Sequence, residues 1–271
     1  MMTNGKVYFV ATPIGNLGDI TVRALDILKS VDKIACEDTR HSGILLNHYE
    51  IKKPTFSYHK FNENKTKSHI IDLVRNGENI AVISDAGMPI ISDPGAILVK
   101  ELIENAIEFE IIPGACACVT ALANSGLDSY SFTYGGFLPE KKQDRINYIT
   151  RLATAETTLI FYSACHDINK DLCDLSRVLG SRKVVVSNDL TKKFEMHYRG
   201  ILGELEITEP KGEFVICVEG KGLANTLNNL PLEEHIEHYL NTGVSRMEAL
   251  KLVAKDRNLS KSEVYNSSLK K

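Results

Sequence analysis

Three short stretches of this 271-residue chain combine small residues with groups able to hold or react with a small molecule. In Thr12-Pro13-Ile14-Gly15-Asn16-Leu17-Gly18-Asp19, two glycines let the backbone approach a ligand closely. In Ser84-Asp85-Ala86-Gly87-Met88-Pro89-Ile90-Ile91-Ser92-Asp93-Pro94-Gly95, two carboxylates, two glycines and two prolines make a preset loop. Its short side chains expose backbone N–H and C=O groups; Asp85 is placed to accept from an ammonium or hydroxyl, and Asp93 reads as the cap of the next helix. The third stretch, Ile112-Pro113-Gly114-Ala115-Cys116-Ala117-Cys118, leads from an apolar run into a helix-like pattern. Two polar clusters, Cys36-Glu37-Asp38-Thr39-Arg40-His41 and Ser57-Tyr58-His59, add carboxylate, guanidinium and imidazole. A carboxylate or imidazole beside a hydroxyl can take its proton as a group is transferred to that oxygen.

Each stretch follows an apolar, strand-like run: Val7 to Ala11, Ile34 to Glu37, Thr55 to Tyr58, Ile80 to Ser84 and Glu110 to Ile112. Helix-like periodicity separates them, near residues 22–31, 41–49 and 64–76 and after Pro94, which is a βαβ rhythm and predicts parallel strands flanked by helices. Loops at the carboxyl ends of such strands converge where open α/β sheets bind ligands. Residues 126–134 read as a crossing into a second α/β unit, with strands at 132–137, 158–162, 183–187, 196–201 and 213–218. Its short connections predict antiparallel pairing. Beyond Gly222 three short helical patterns follow, broken at Gly243 and Asn258, and Ser245 with Glu248 and Ser260 with Glu263 have capping-box spacing. These boundaries give units at 1–118, 119–225 and 226–271, the last a small helix-turn-helix-like module.

The net charge of −3 argues against bulk electrostatic coating of nucleic acid, so any RNA contact must be local. From Arg246 onward the chain carries seven Lys or Arg against three Asp or Glu, marking the tail as a distinct basic module. The absence of a long apolar run and of a leader-like start predicts a cytoplasmic protein with no membrane span. The six cysteines are scattered, which suits free thiols, and the Cys116/Cys118 spacing lacks the second pair a zinc site needs, so no metal is expected.

Together, ATPIGNLGDIT, ACEDTRH, SYH, SDAGMPIISDPG and IIPG make the sequence resemble the tetrapyrrole-methylase fold family, specifically its branch acting on small-subunit ribosomal RNA. The likeness continues through GFLPEKK, LIFYSACH, LTKKFE, KGEFVI and the tail segment ALKLVAKDRNLSKSEVY. It implies an α/β, two-domain tetrapyrrole-methylase-like (class III methyltransferase) fold with a small C-terminal helical module. It also implies a homodimeric enzyme holding the methyl donor S-adenosylmethionine between its domains, and a ribose 2′-hydroxyl of a decoding-centre cytidine of 16S rRNA, within the 30S subunit, as acceptor.

By this resemblance Pro13, Asp85, Gly87, Met88, Ser92, Cys116 and Ala117 face the donor, with Phe161 and Tyr162 closing the pocket from the second domain. Asp38 or Glu37 is the candidate base, His59 an alternative, and Arg40 the group that orients phosphate or carboxylate. Lys141, Lys142, Arg145, Lys192 and Lys193 are candidate RNA contacts. The chain departs from the branch's pattern in clusters: Ser163 and Asp167 stand where FYESPHR has Glu and Arg, and Asn188 and Asp189 where RELTK has Arg and Glu. Either the lost guanidinium groups change RNA recognition, or an Arg/Glu ion pair has been replaced jointly. The competing readings are a methylase of a tetrapyrrole or other small substrate on the same fold, and a non-catalytic descendant that binds donor or ribosome.

Overall fold

The computed structural model describes residues 5–222, 227–228, 230–257 and 259–269. The first unit alternates strand and helix: β1 (Val7–Val10), α1 (Val22–Ser30), β2 (Lys33–Cys36), α2 (Thr39–His48), β3 (Thr55–Ser57), α3 (Glu63–Arg75), β4 (Ile80–Ile83), α4 (Ala96–Glu104) and β5 (Phe109–Ile112). The strands lie in the order β3-β2-β4-β1-β5, and every pairing is parallel. Every residue of β4, Ile-Ala-Val-Ile, is buried, as a strand covered on both faces requires. One face packs Val7, Phe9 and Val82 against Ile70 and Val74 of α3 and Leu98 of α4; the other packs Val10, Ile34 and Ile83 against Leu28 of α1 and Leu46 of α2.

Helix α5 (Ala117–Ser125) runs through position 118, where the sequence places the first boundary, and packs on the second sheet. The boundary at 225/226 lies outside the described residues. The second unit comprises β6 (Phe132–Phe137), α6 (Lys142–Leu152), β7 (Thr158–Ala164), α7 (Ile168–Leu179), β8 (Lys183–Asn188), β9 (Met196–Ile201) and β10 (Glu213–Val218), with strand order β6-β7-β10-β8-β9. Pairing is antiparallel except between β6 and β7, which run parallel. That exception qualifies the antiparallel expectation, which rested on the short connections: α6 intervenes between these two strands and supplies the crossover that parallel neighbours need.

The two sheets are joined by a shared apolar cluster in which Ile14, from the loop after β1, meets Cys118 and Leu122 of α5, Leu190, and Val215 and Cys217 of β10. The tail folds as α8 (Leu232–Asn241), α9 (Arg246–Asp256) and α10 (Lys261–Leu269) around Ile236, Leu250, Val253 and Val264. Ser245 caps α9 by accepting from the Glu248 N–H at 3.3 Å. At α10 the box is reciprocal: Ser260 accepts from the Glu263 N–H, and the Glu263 carboxylate accepts from the Ser260 N–H at 2.7 Å. Among the described residues no helix is long and apolar enough to cross a membrane.

Candidate active site

The strand order sets β4 between β2 and β1 and puts β5 beyond β1, so the loops that follow these strands meet at one sheet edge. The loops after β1 and β4 are stitched together: Thr12 N–H donates to Gly87 C=O at 2.9 Å, and Gly87 N–H returns to Thr12 C=O at 3.0 Å. Gly87 sits at φ +79°, where a side chain would strain the backbone. The same loop holds Ile90 at φ 81° and Ser92 at φ 69°, left-handed positions that a β-branched residue in particular tolerates poorly. Such strain persists only where the surroundings over-determine it. Two anchors do so here. The buried Glu63 carboxylate of α3 accepts from Gly95 N–H at 2.8 Å and from the Tyr58 hydroxyl at 2.7 Å, and Ser92 Oγ bonds the Tyr134 hydroxyl of β6 at 2.6 Å.

Glu63 therefore secures the entry to α4, correcting the expectation that Asp93 caps that helix; the cap position is Gly95, which has no side chain to cap with and donates its N–H to Glu63 instead. Asp93 instead lines a cavity of about 390 Å³ with Glu37, Asp85, Met88 and, across the cleft, Tyr162. Burial, then the neighbouring Glu37 carboxylate, pushes the Asp93 carboxyl up to about 7. Glu37 is raised as well, by burial first and Asp85 second. A cavity of this volume suits a small organic molecule, and packed carboxylates that resist ionisation together are relieved by a bound cation.

A second cavity of about 530 Å³ adjoins the first and is lined by Thr12, Pro13, Gly15, His41, Ser84 and Lys192 among others. Ile14, Asp85, Ala86 and Glu213 belong to both walls, so Asp85 stands at the junction. Its Oδ1 accepts from Asp38 N–H at 3.1 Å, which fixes the carboxylate's orientation. Gly15 lets the two units close on each other: a Cβ there would lie 2.6 Å from Leu190 O and from Lys192 Cγ.

The residues expected to face the donor divide. Asp85, Gly87, Met88, Ser92, Cys116, Ala117 and Tyr162 line the smaller cavity, whereas Pro13 lines the larger one. Phe161 is fully buried on the opposite face of β7, in the core shared with α7. Side chains alternate along a strand, so with Tyr162 toward the cleft Phe161 must turn away. Of the candidate catalytic residues, Glu37 lines the smaller cavity. Asp38 caps α2, accepting from Arg40 N–H at 2.8 Å, and pairs with the Arg40 guanidinium, whose hydrogen bonds hold its carboxyl well below the usual range. An acid so depressed is a weak base, and Arg40, its side chain 91% exposed, is committed to the same pair. His59 Nδ1 accepts from Phe61 N–H at 3.2 Å.

Arg145 corrects the expected set of RNA contacts. It lies 2% exposed on the inner face of α6, donates to Pro139 C=O at 2.9 Å, and pairs with Asp171 and Asp174 of α7. Lys192 is held by Asp189 at 2.7 Å and Glu213 at 3.0 Å, while Lys141 and Lys142 remain exposed. The clustered departures also find places. Ser163 and Asn188 both pair in register with Phe214, one from each side, so their side chains share a face of the sheet. Both are buried; Ser163 donates to Asp171 at 2.6 Å, and Asn188 to Lys211 C=O at 2.9 Å. Both positions are buried on one face of the sheet beside Phe214, so a Glu and an Arg there would lie inside the second unit and not on its exposed surface.

The model of the tetrapyrrole (corrin/porphyrin) methylases matches residues 6–206, from β1 through β9. The chain belongs to this methylase family. Within it, the chain is 40% identical to a Bacillus subtilis protein over 98% of its own length and 97% of the relative's, and 42% identical to one from Pasteurella multocida with the same coverage. A relative from Halalkalibacterium halodurans is 43% identical over 97% of this chain and 94% of its own. All three carry the name ribosomal RNA small subunit methyltransferase I. Among solved structures, diphthine synthase superposes with a TM-score of 0.67 at 16% identity, covering 81% of this chain and 91% of that one. A cobalt precorrin-4 methyltransferase gives 0.60 at 18%, covering 79% and 94%. These two likenesses establish the tetrapyrrole-methylase fold and no more.

Sequence reasoning missed Asp93, Phe137, Glu213 and Val215 in the methylase cavity. A signal was available for Asp93, the second carboxylate of a loop already singled out. For Glu213 the sequence offered only its place in the KGEFVI segment; the antiparallel register carries it to the cleft opposite Ala164.

Proposed function

We propose that this methylase transfers a methyl group from S-adenosylmethionine to small-subunit ribosomal RNA, with the 2′-hydroxyl of a decoding-centre cytidine as acceptor and the 30S particle as substrate. The observation that carries the reading is similarity over nearly the whole length to proteins named for small-subunit rRNA methylation. The two adjoining cavities fit it. The donor is a sulfonium cation that supplies an already activated methyl group, so the protein's tasks are to bind, align and move one proton. Glu37 and Asp93 give the smaller cavity the negative potential a cation requires, and Tyr162, Phe137 and Met88 give it apolar walls. The larger cavity receives the acceptor nucleotide, with Asp85, held by Asp38 N–H, at the junction to take the hydroxyl proton. Lys141, Lys142 and the basic tail contact the RNA backbone. A homodimer is part of the same reading, and Phe194 and Met196, at and just before edge strand β9, are exposed apolar surface available to it.

Transfer of labelled methyl from S-adenosylmethionine to small subunits lacking the modification tests the reading, with ribose methylation mapped by alkali-resistant linkages. One protected cytidine linkage is expected; intact donor binding with no transfer to the subunits would overturn it. A pH effect follows as well. Asp93 ionises near 7 in the free protein, so its neutral form meets the donor at lower pH and its carboxylate at higher pH. Donor affinity should rise between about pH 6 and pH 8, by roughly tenfold or more for a charge-assisted contact. In Asp93→Asn that rise should vanish, and calorimetric titration of donor into both proteins reads it.

A further inference from the structure

At the start of α5, Cys116 Sγ and Cys118 Sγ lie 3.4 Å apart. Cys116 lines the smaller cavity, while Cys118 is buried just behind it. Neither thiol supplies a proton or a charge to the methyl transfer described above. Its two sulfurs are already in contact, one opens to a cavity that admits small molecules, and both sit where the first-turn N–H groups of a helix favour negative charge.

We propose that Cys116 and Cys118 form a peroxide-oxidisable dithiol whose disulfide deforms the donor cavity. The assignment of that cavity to the donor rests on the function proposed above. Cys116 responds first, because contact with the Cys118 thiol and the N–H groups of Val119 and Cys118 favour its thiolate, whereas Cys118, next to that charge and more enclosed, keeps its proton. The thiolate attacks one oxygen of hydrogen peroxide; the O–O bond breaks, the other oxygen leaves as hydroxide and takes up the proton that Cys116 had released, forming water, and Cys116 becomes a sulfenic acid. Cys118 sulfur then attacks Cys116 sulfur, the S–O bond breaks, and the departing hydroxide takes the Cys118 proton to form a second water. Two thiols lose two electrons and the peroxide gains them.

Closing the contact from 3.4 Å to a bond length of about 2.05 Å draws Cys116 out of the cavity wall. It also pulls on the Cys118 N–H, which donates to the Tyr162 hydroxyl at 3.1 Å and so ties the cysteine pair to the aromatic side of the donor cavity. A displacement of this size in a donor wall is expected to lower donor affinity or methyl transfer by roughly 10- to 100-fold.

The test treats the full chain with hydrogen peroxide and follows each cysteine by mass spectrometry, with the exposed Cys173 as internal reference. The expected result is loss of two hydrogens from the peptide bearing Cys116 and Cys118 before Cys173 is oxidised, restored together with donor binding by dithiothreitol. In Cys118→Ala, which leaves the cavity wall intact, reduced protein should bind donor normally, and Cys116 should stop at a sulfenic acid trapped by dimedone. Oxidation of Cys173 ahead of the pair, or a 116–118 disulfide that leaves donor binding unchanged, overturns the proposal. Binding of S-adenosylmethionine to the reduced protein is measured separately. Its absence would refute the donor site, while the order of thiol oxidation would still report on the dithiol.

Discussion

Asp85→Asn is expected to lower kcat/KM for methyl transfer by about 10²- to 10⁴-fold while shifting donor affinity far less. Asparagine matches the carboxylate in size and can still accept from Asp38 N–H, so the 3.1 Å contact that orients the side chain survives. Lost is the ability to take a proton where the two cavities meet, a position Asp85 shares with Ile14, Ala86 and Glu213. Single-turnover transfer with donor bound beforehand separates this from a binding defect. Should Asp85→Asn retain transfer while Glu37→Gln loses it, the base is Glu37, and the acceptor oxygen reaches deeper into the smaller cavity than the junction.

The other large effect falls on stability. Arg145→Ala should destabilise the second unit by about 3–5 kcal/mol, because it strands two buried carboxylates, Asp171 and Asp174, without their cation. Burial already pushes the Asp171 carboxyl up despite the guanidinium beside it, and Ser163 offsets part of that by donating to it. For a protein of this size the loss corresponds to a fall in Tm of roughly 10 °C, readable by calorimetry. Below the transition the variant should bind RNA as the parent does. A selective loss of RNA affinity with unchanged Tm would return Arg145 to the surface role its sequence neighbours suggest. Charge reversal at Lys141 and Lys142, which are exposed, should do the opposite.

The contrast between Lys142 and Arg145 shows where sequence reading stops. Both belong to one helix and one basic run, yet three residues of helical rotation and the placement of α7 put one in water and the other against two aspartates. The partners are 26 residues or more along the chain, beyond any local pattern. Asp93 is similar. Its sequence context, before Pro94 and a helix, is that of a cap, but Glu63 takes that work from 32 residues away and frees Asp93 for the cavity.

What the sequence by itself determined was whatever short-range physics controls. Apolar runs of strand length, helical periodicity and glycine-bearing turns located the described strands, α1 to α5 and the tail helices but not α6 or α7, and the Ser260/Glu263 spacing closed a capping box as read. The motif loops placed the cleft, because parallel strands bring their carboxyl-end loops to one edge whatever the sheet order. Only the tertiary structure decided which face each strand turned to the cleft, hence Tyr162 rather than Phe161, and which charges were desolvated together, hence Asp93 with Glu37 and Arg145 with Asp171. Desolvation and Coulomb interaction act through space, between groups that the chain brings together only once both sheets are packed.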